Sequence, residues 1–445
     1  MNRIAVVSAL GPGLFACTTA PPREPEPPPL TSIDPVAIPL DRARAVFDAA
    51  ERSCKADDGA VWGVSLCAPI LLVDPATRTA VASQPDVDGW LGAREGLWVG
   101  PLTPEVPIAN TAVTWSGVRW VALVWPLPED EARRDVLLAH EMFHRIADEV
   151  VGPGDGMQGQ ENPHLDTQQG RYWLQLEWRA LAAALSAGSE AARREAIAHA
   201  LGFRAARRAA FAGSAASEDA LELNEGLAEY TGVVCGRRGA SEQREAALHD
   251  LRAHVDDPSF ARSFAYATGP AYGLLLDRYA QGWRARVGEV KSLSQALAEA
   301  VGVPALAATD AAARYGGPEL FAAEEARAKR QAEVLARDRQ LLVEGPVLRL
   351  AFRHMKIEFD PRTVRGLEGL GSVYPTLRVV DDWGVLTVSD VALVTSDWSA
   401  VVVPAPTEAK GPVIEGPGWR LELASSWRLE ADARAGDLRV SKHPE

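Results

Sequence analysis

The spacing of apolar and polar positions changes period several times along this chain, and the expected element changes with it. Residues 41–54 place Ala45, Val46, Ala49 and Ala50 at helical intervals and predict a helix. Residues 61–82 read as strands with a turn at Asp74-Pro75, and the Pro- and Gly-rich stretch 83–117 reads as loop. The apolar run 118–125 predicts a strand that Pro126-Leu127-Pro128 ends. From 129 to 150 the period becomes helical, with acidic residues in the first turn where the helix dipole favours them. A glycine-rich polar loop follows over 152–170. Further helices are expected over 171–187, 189–212, 217–231, 241–255, 266–279, 290–300 and, strongly charged, 318–342. After Gly345-Pro346 the character changes to short β-rich runs at 347–352, 377–380, 385–388, 400–403 and 419–423. The expected class is α+β. An α/β part with a sheet (41–128) leads into a mostly helical domain (129–343), followed by a small all-β module (344–445).

Composition narrows the possibilities. At 445 residues the chain exceeds one ordinary core and suits two or three domains. Hydrophobic residues at 47% and charged residues at 24% are the balance of a folded protein. The net charge of −14 argues against a nucleic-acid partner, which needs a basic surface.

The N-terminus suggests export. Arg3 precedes a mostly apolar run from Ile4 to Leu10, and Leu14-Phe15-Ala16-Cys17 resembles the bacterial lipobox, whose cysteine takes a lipid. On that resemblance residues 1–17 are a lipoprotein-type signal peptide, Cys17 is the lipidation site, and the protein is anchored in the bacterial cell envelope. An ordinary cleaved signal peptide ending at Ala16 or Ala20, and a retained apolar N-terminus, are the alternatives. Eight prolines in 18–40, from Pro21 to Pro39, make that stretch an extended tether. Of four cysteines, none forms a CxxC pair. In an oxidising compartment Cys54 and Cys67 are the pair expected to bridge, leaving Cys235 as a buried free thiol.

The chemistry is concentrated at His140-Glu141-Met142-Phe143-His144. Residues four apart share one helical face, so two imidazoles can direct one nitrogen each at a single zinc ion. Glu141 projects beside them, where it can take a proton from water. Leu137, Leu138, Ala139, Met142, Phe143 and Ile146 mark the helix as buried, and buried imidazoles and a carboxylate require partners. A catalytic zinc site needs a third protein ligand and an open position. The metzincin arrangement is excluded, because Ala147 and Val150 stand where it needs glycine and histidine. The segment Asn224-Glu225-Gly226-Leu227-Ala228-Glu229 supplies a carboxylate from a second helix; Glu161, His164, Asp166 and Glu177 are rival ligands.

With both segments in view, the chain resembles the gluzincin metallopeptidases, the superfamily of thermolysin and the zinc aminopeptidases. The resemblance covers roughly 118–279. It implies that His140, His144 and Glu225 hold one Zn2+, that Glu141 is the general base, and that Asn224 and Glu229 surround the ligands. Glu229 is placed to accept a hydrogen bond from a ligating histidine. Tyr266-Ala267-Thr268-Gly269 is similar to the Tyr-x-x-Gly segment of the aminopeptidase branch, which implies that Tyr266 stabilises an oxyanion, with Tyr272 in reserve. The other reading of Tyr266 is a core tyrosine at a helix start. The run 118–125 precedes the zinc helix as the superfamily's substrate-side edge strand does, implying a backbone edge for an extended peptide. Arg145 departs from the uncharged residue usual after the second histidine. The interval from His144 to Glu225 is long, and the aminopeptidases' Gly-x-Met-Glu-Asn motif is absent.

The expected function is a zinc-dependent, endopeptidase-like hydrolase acting on a peptide or protein. An envelope scaffold with a structural zinc site, or a hydrolase of a non-peptide amide in the cell wall, are the rivals. Trp383, Trp398, Trp419 and Trp427 of the β module are expected in its core, with a binding face as the alternative.

Overall fold

The structure, a computed structural model, describes residues 38–152, 162–359, 363–367, 369–408 and 411–443. The expected signal peptide 1–17 with Cys17, nearly all of the tether 18–40, and Glu161 lie outside these residues. The protein is α+β and divides into two compact units, one running to Asp48 and including Ala68–Leu127, the other combining Ala49–Cys67 with Pro128–Glu445. No helix among the described residues is long and apolar enough to cross a membrane.

In the first unit, six strands form one sheet: β1 (Ile70–Val73), β2 (Thr79–Ala82), β3 (Gly92–Arg94), β4 (Leu97–Pro101), β5 (Thr111–Trp115) and β6 (Val118–Val124). Their order is β3-β4-β2-β1-β6-β5, with β1 and β6 parallel and the other neighbours antiparallel. One face buries Leu71, Val73, Leu91, Trp115 and Trp120. Two sequence expectations are corrected here. The stretch 83–117 contains three strands, not loop alone. Its hairpins turn on Glu95-Gly96 and Ser116-Gly117, where both residues have positive φ, the tight turn whose twist matches paired strands. The run 118–125 is not an edge strand either. β6 is flanked by β1 and β5, so its backbone is already paired and cannot accept a peptide by strand addition.

The second unit begins within α1 (Leu40–Asp57). The segment Ala49–Cys67, expected as part of the 41–128 piece, belongs with the helices because Trp62 is buried among them. Its indole donates to Thr231 Oγ1 at 3.0 Å and packs against Phe143, Tyr230 and Trp283. Cys54 and Cys67 are joined as a disulfide, and Cys235 is a free, half-buried thiol.

The helices are α2 (Glu131–Val150), α3 (Gln168–Ser186), α4 (Glu190–Ala210), α5 (Ser214–Leu221), α6 (Leu227–Gly236), α7 (Gly239–Ala253), α8 (Phe264–Tyr279), α9 (Leu293–Val301), α10 (Ala308–Ala312) and α11 (Gly317–Arg339). The sequence predicts one helix over 217–231. The structure keeps this stretch helical from Ser214 to Gly236 and widens it at a π turn, Glu222–Gly226, between α5 and α6.

After α11 two sheets share one core, antiparallel throughout except where Leu438–Lys442 runs parallel to Val347–Ala351. A seven-stranded sheet runs from Trp427–Ala431 at one edge to Arg365–Leu367 at the other, and a five-stranded sheet from Val413–Gly416 to Lys356–Phe359. Leu348, Val394 and Val401 of the first meet Val379, Leu386 and Leu421 of the second, together with Trp383, Trp419 and Trp427. Trp398 departs from the expected core position: it is 45% exposed, on a turn with positive φ.

Candidate metal centre

α2 starts cleanly because Asp130 caps it, accepting from the Arg133 backbone N–H at 2.8 Å. Its buried face carries Val136, Leu138, Ala139, Met142, Phe143 and Ile146, and the same face carries His140 and Glu141. α6 lies unusually close to it. A Cβ at Gly232 would come 2.7 Å from the Val136 carbonyl oxygen, and one at Gly236 would come 2.7 Å from the Val136 nitrogen. Two glycines one turn apart therefore let the helix backbones touch. One turn before Gly232, counting toward the N-terminus, Glu229 reaches His140, with Oε2 2.7 Å from Nδ1. That contact makes Nδ1 a proton-bearing nitrogen, and Nε2 is the one that would offer its lone pair once a bound cation displaced its proton.

The π turn decides where Glu225 points. Its extra residue rotates the chain between Glu222 and Leu227, as single π turns at functional sites commonly do. Glu222 enters the interior, where Arg204 grips it with Nη1 at 2.6 Å and Nη2 at 2.5 Å, and Thr268 donates at 2.6 Å. Glu225 faces the histidines. α8 clamps the turn from the other side, since a Cβ at Gly269 would fall 2.2 Å from the Gly226 oxygen. From α8, Tyr266 donates its hydroxyl to Glu225 Oε2 at 2.6 Å and stacks its ring on His140, with centroids 5.4 Å apart and planes 7° from parallel. Just before α8, Arg262 donates to Glu225 Oε1 at 3.1 Å.

The result is a triangle of donor atoms. Glu225 Oε2 lies 3.5 Å from Nε2 of His140 and 3.5 Å from Nε2 of His144, and the two nitrogens are 3.1 Å apart. These three residues form the one group among the described residues whose ligand atoms gather in this way. Three ligands at 2.0–2.1 Å from a tetrahedral zinc ion stand about 3.3–3.4 Å from one another, so the donor set fits that ion. Glu141 is 5% exposed, and its Oε2 is buried with no hydrogen-bond partner among the described residues. A buried carboxylate oxygen left unpaired is costly unless something else meets it there.

Electrostatics follow from this crowding. Burial opposes the charged form of His140, but its bonds to Glu225 and Glu229 outweigh that and raise it to about 10. Burial also works against ionised Glu225, yet bonds from His140, His144 and Tyr266 hold it well below the usual carboxylate range. Glu141 is raised, chiefly by burial, with the histidines opposing. Burial and the Glu225 charge raise Tyr266, which keeps its hydroxyl protonated.

No family model, curated protein or solved structure matches the chain.

The site residues read from sequence therefore separate. His140, Glu141, His144, Glu225, Glu229 and Tyr266 come together, and Asn224 sits half-buried in the π turn beside them. Tyr266 is at the site rather than in a remote core. Tyr272 is not available as its reserve, being fully buried with its hydroxyl on Glu177 Oε1 at 2.8 Å. The rival ligands have other partners. His164 bonds Glu218 at 2.8 Å, and Asp166 accepts from Ser259 and the Phe260 N–H at 2.6 Å each. Glu177 is locked between Arg204 at 2.8 Å and Arg207 at 2.5 Å. Sequence reasoning missed Arg262, Arg204 and Arg207. Only the helical period of α4, which puts Arg204 and Arg207 on its apolar face beside Leu201 and Phe203, hints that two arginines are interior.

Proposed function

We propose that this protein is a zinc-dependent hydrolase that cleaves peptide bonds, a reading that rests on the gluzincin resemblance together with the donor triangle of His140, His144 and Glu225. The single observation that carries it is the spacing of those three atoms beside the unpaired Oε2 of Glu141. A zinc ion bound there supplies Lewis acidity and makes a water proton easier to remove near neutral pH.

The chain's own groups do the rest. Glu229 fixes the ring of His140 so that Nε2 faces the site. Glu141 is the general base, its buried, unpaired Oε2 placed to take a proton from water and return it to the departing amine. Tyr266, held protonated, has one O–H, which it would turn from Glu225 Oε2 to the negative charge developing on the substrate's carbonyl oxygen. Export fits the same proposal: a Cys54–Cys67 disulfide belongs to an oxidising compartment.

The test uses the full chain loaded with zinc. One ion per chain and cleavage of an unfolded protein such as casein are expected. Glu141→Gln should keep the ion and lose at least about a hundredfold in turnover, the scale of general-base catalysis. Zinc bound without any hydrolysis by the parent would move the assignment to an envelope scaffold. Full turnover by Glu141→Gln would remove Glu141 from the mechanism.

A further inference from the structure

Glu225 shares its carboxylate between two duties. Oε2 faces the imidazoles and Tyr266, while Oε1 takes Nη2 of Arg262 at 3.1 Å. The placement of Glu225 does not need that arginine. The π turn is already anchored through Glu222 to Arg204 and Thr268, and through Gly226 against Gly269, all in the interior. Arg262, by contrast, is half exposed, and ion pairs at such positions add little to a fold. A guanidinium carries five N–H donors in a planar fork, of which the bond to Glu225 uses one. His254, whose ring lies 6.2 Å from that of Tyr266, is occupied with Asp257 at 2.7 Å. In a chain of net charge −14 a cation bonded to a metal-site carboxylate runs against the average field.

We infer that Arg262 is a specificity-determining residue that receives a carboxylate of the substrate, so that the favoured substrates are peptides with a carboxylate one residue from the scissile bond; this rests on the hydrolase reading above. The geometry sets the distance. Arg262 contacts one oxygen of Glu225 while the other oxygen belongs to the donor triangle, and a peptide advances about 3.3–3.6 Å per residue. A carboxylate on the neighbouring residue therefore falls within reach of the fork when a peptide carbonyl sits at the triangle. Arginine suits this role better than lysine, because its two parallel N–H groups match the two oxygens of a carboxylate. An Asp or Glu side chain and a free C-terminus present the same group.

The test separates binding from turnover. Zinc-loaded full-length Glu141→Gln protein, with and without Arg262→Gln, is titrated with three short peptides. One is neutral and capped, one carries Asp or Glu beside the central bond, and one has a free C-terminus beside that bond. A carboxylate peptide should bind about tenfold or more tighter than the neutral one, the scale of a hydrogen bond to a charged group. Arg262→Gln should abolish that preference with zinc stoichiometry unchanged, and Arg262→Lys should restore part of it. Which carboxylate peptide wins tells an acidic side chain from a chain end. Equal binding of all three by the Arg262-bearing protein overturns the inference. So does equal weakening of all three by Arg262→Gln, or loss of zinc from it, either of which makes Arg262 a support for Glu225 only. The kcat/KM values of the Glu141-bearing chain on the same peptides keep the two readings apart. An Arg262-dependent preference without cleavage removes the hydrolase and leaves the carboxylate site, whereas cleavage without preference does the reverse.

Discussion

Glu229 illustrates how much a single residue outside the ligand set can decide. Its Oε2 holds Nδ1 of His140 at 2.7 Å, and without it the imidazole is free to choose the other tautomer and to rotate. Glu229→Gln, which keeps the shape and loses the charge, should lower zinc affinity about 10–100-fold, read by competition with a chromophoric chelator. Unchanged affinity would mean that packing of α2 alone orients the ring. Neither carboxylate is distinguishable in the sequence by type. Glu225 and Glu229 stand four apart, and their separate tasks, one toward the triangle and one behind it, come from what each meets across the helix interface.

At the scale of elements, the site is held by close contacts between backbones and by one buried ionic cluster. The contact of Gly269 with Gly226 is tight enough that Gly269→Ala must push α8 away from the π turn. The expected cost is about 1–3 kcal/mol, the usual range for overpacking, with weakened zinc binding because Tyr266 and Glu225 move apart. Thermal melts with and without zinc check this, and a larger loss for the zinc-loaded form is the outcome anticipated. The ionic cluster joins Glu177, Glu218 and Glu222 to Arg204 and Arg207, all interior. Burial disfavours the charges of Glu177 and Glu218, but the arginines beside them outweigh it and hold both carboxyls below the usual range. For a carboxylate depressed on folding, the stability it adds is present above its unfolded value, about 4.3 for Glu. It is lost as pH falls through the depressed folded value. The melting temperature should therefore fall as pH drops below about 4, and Glu177→Gln should flatten that acid limb. An acid limb of unchanged slope in that variant would show that other groups set it.

For the whole molecule, the β module has an apolar core of its own. Two sheets bury a common interior that includes Trp383, Trp419 and Trp427; α11 is tied to them by Arg365 to Asp338 at 2.7 Å and Arg337 to Asp390 at 2.5 Å, and the π turn that ends it, Gln340–Glu344, adds Leu342 to a second core with Val347, Val373, Leu393 and Val402. Residues 340–445, which keep Leu342 over the second core, should when expressed alone give a β-type circular dichroism spectrum and a cooperative melt. A non-cooperative or coil-like product would mean that the module depends on α11. Trp398, exposed on its turn, should report no fluorescence shift in that melt while the interior indoles do.

The helix carrying His140, Glu141 and His144 was legible because a four-residue interval and an apolar stripe are local properties, set by the pitch of one helix. The α+β class and the change of character after Gly345 were legible for the same reason. Glu225 could be nominated from Asn224-Glu225-Gly226 beside it, but its rivals could not be dismissed, since His164, Asp166 and Glu177 look equally capable until their partners are seen. Three short strands hid among prolines and glycines in 83–117, where pairing partners, not propensity, make the sheet. Only the tertiary structure decided that the helix over 217–231 is widened by a π turn, that Gly232 and Gly269 are contact points, that β6 is interior, and that Arg262 is half exposed beside Glu225. Each of these depends on groups far apart in the chain meeting at van der Waals or hydrogen-bond distance. Periodicity along a single element carries no record of which distant backbone or charge will be on the other side.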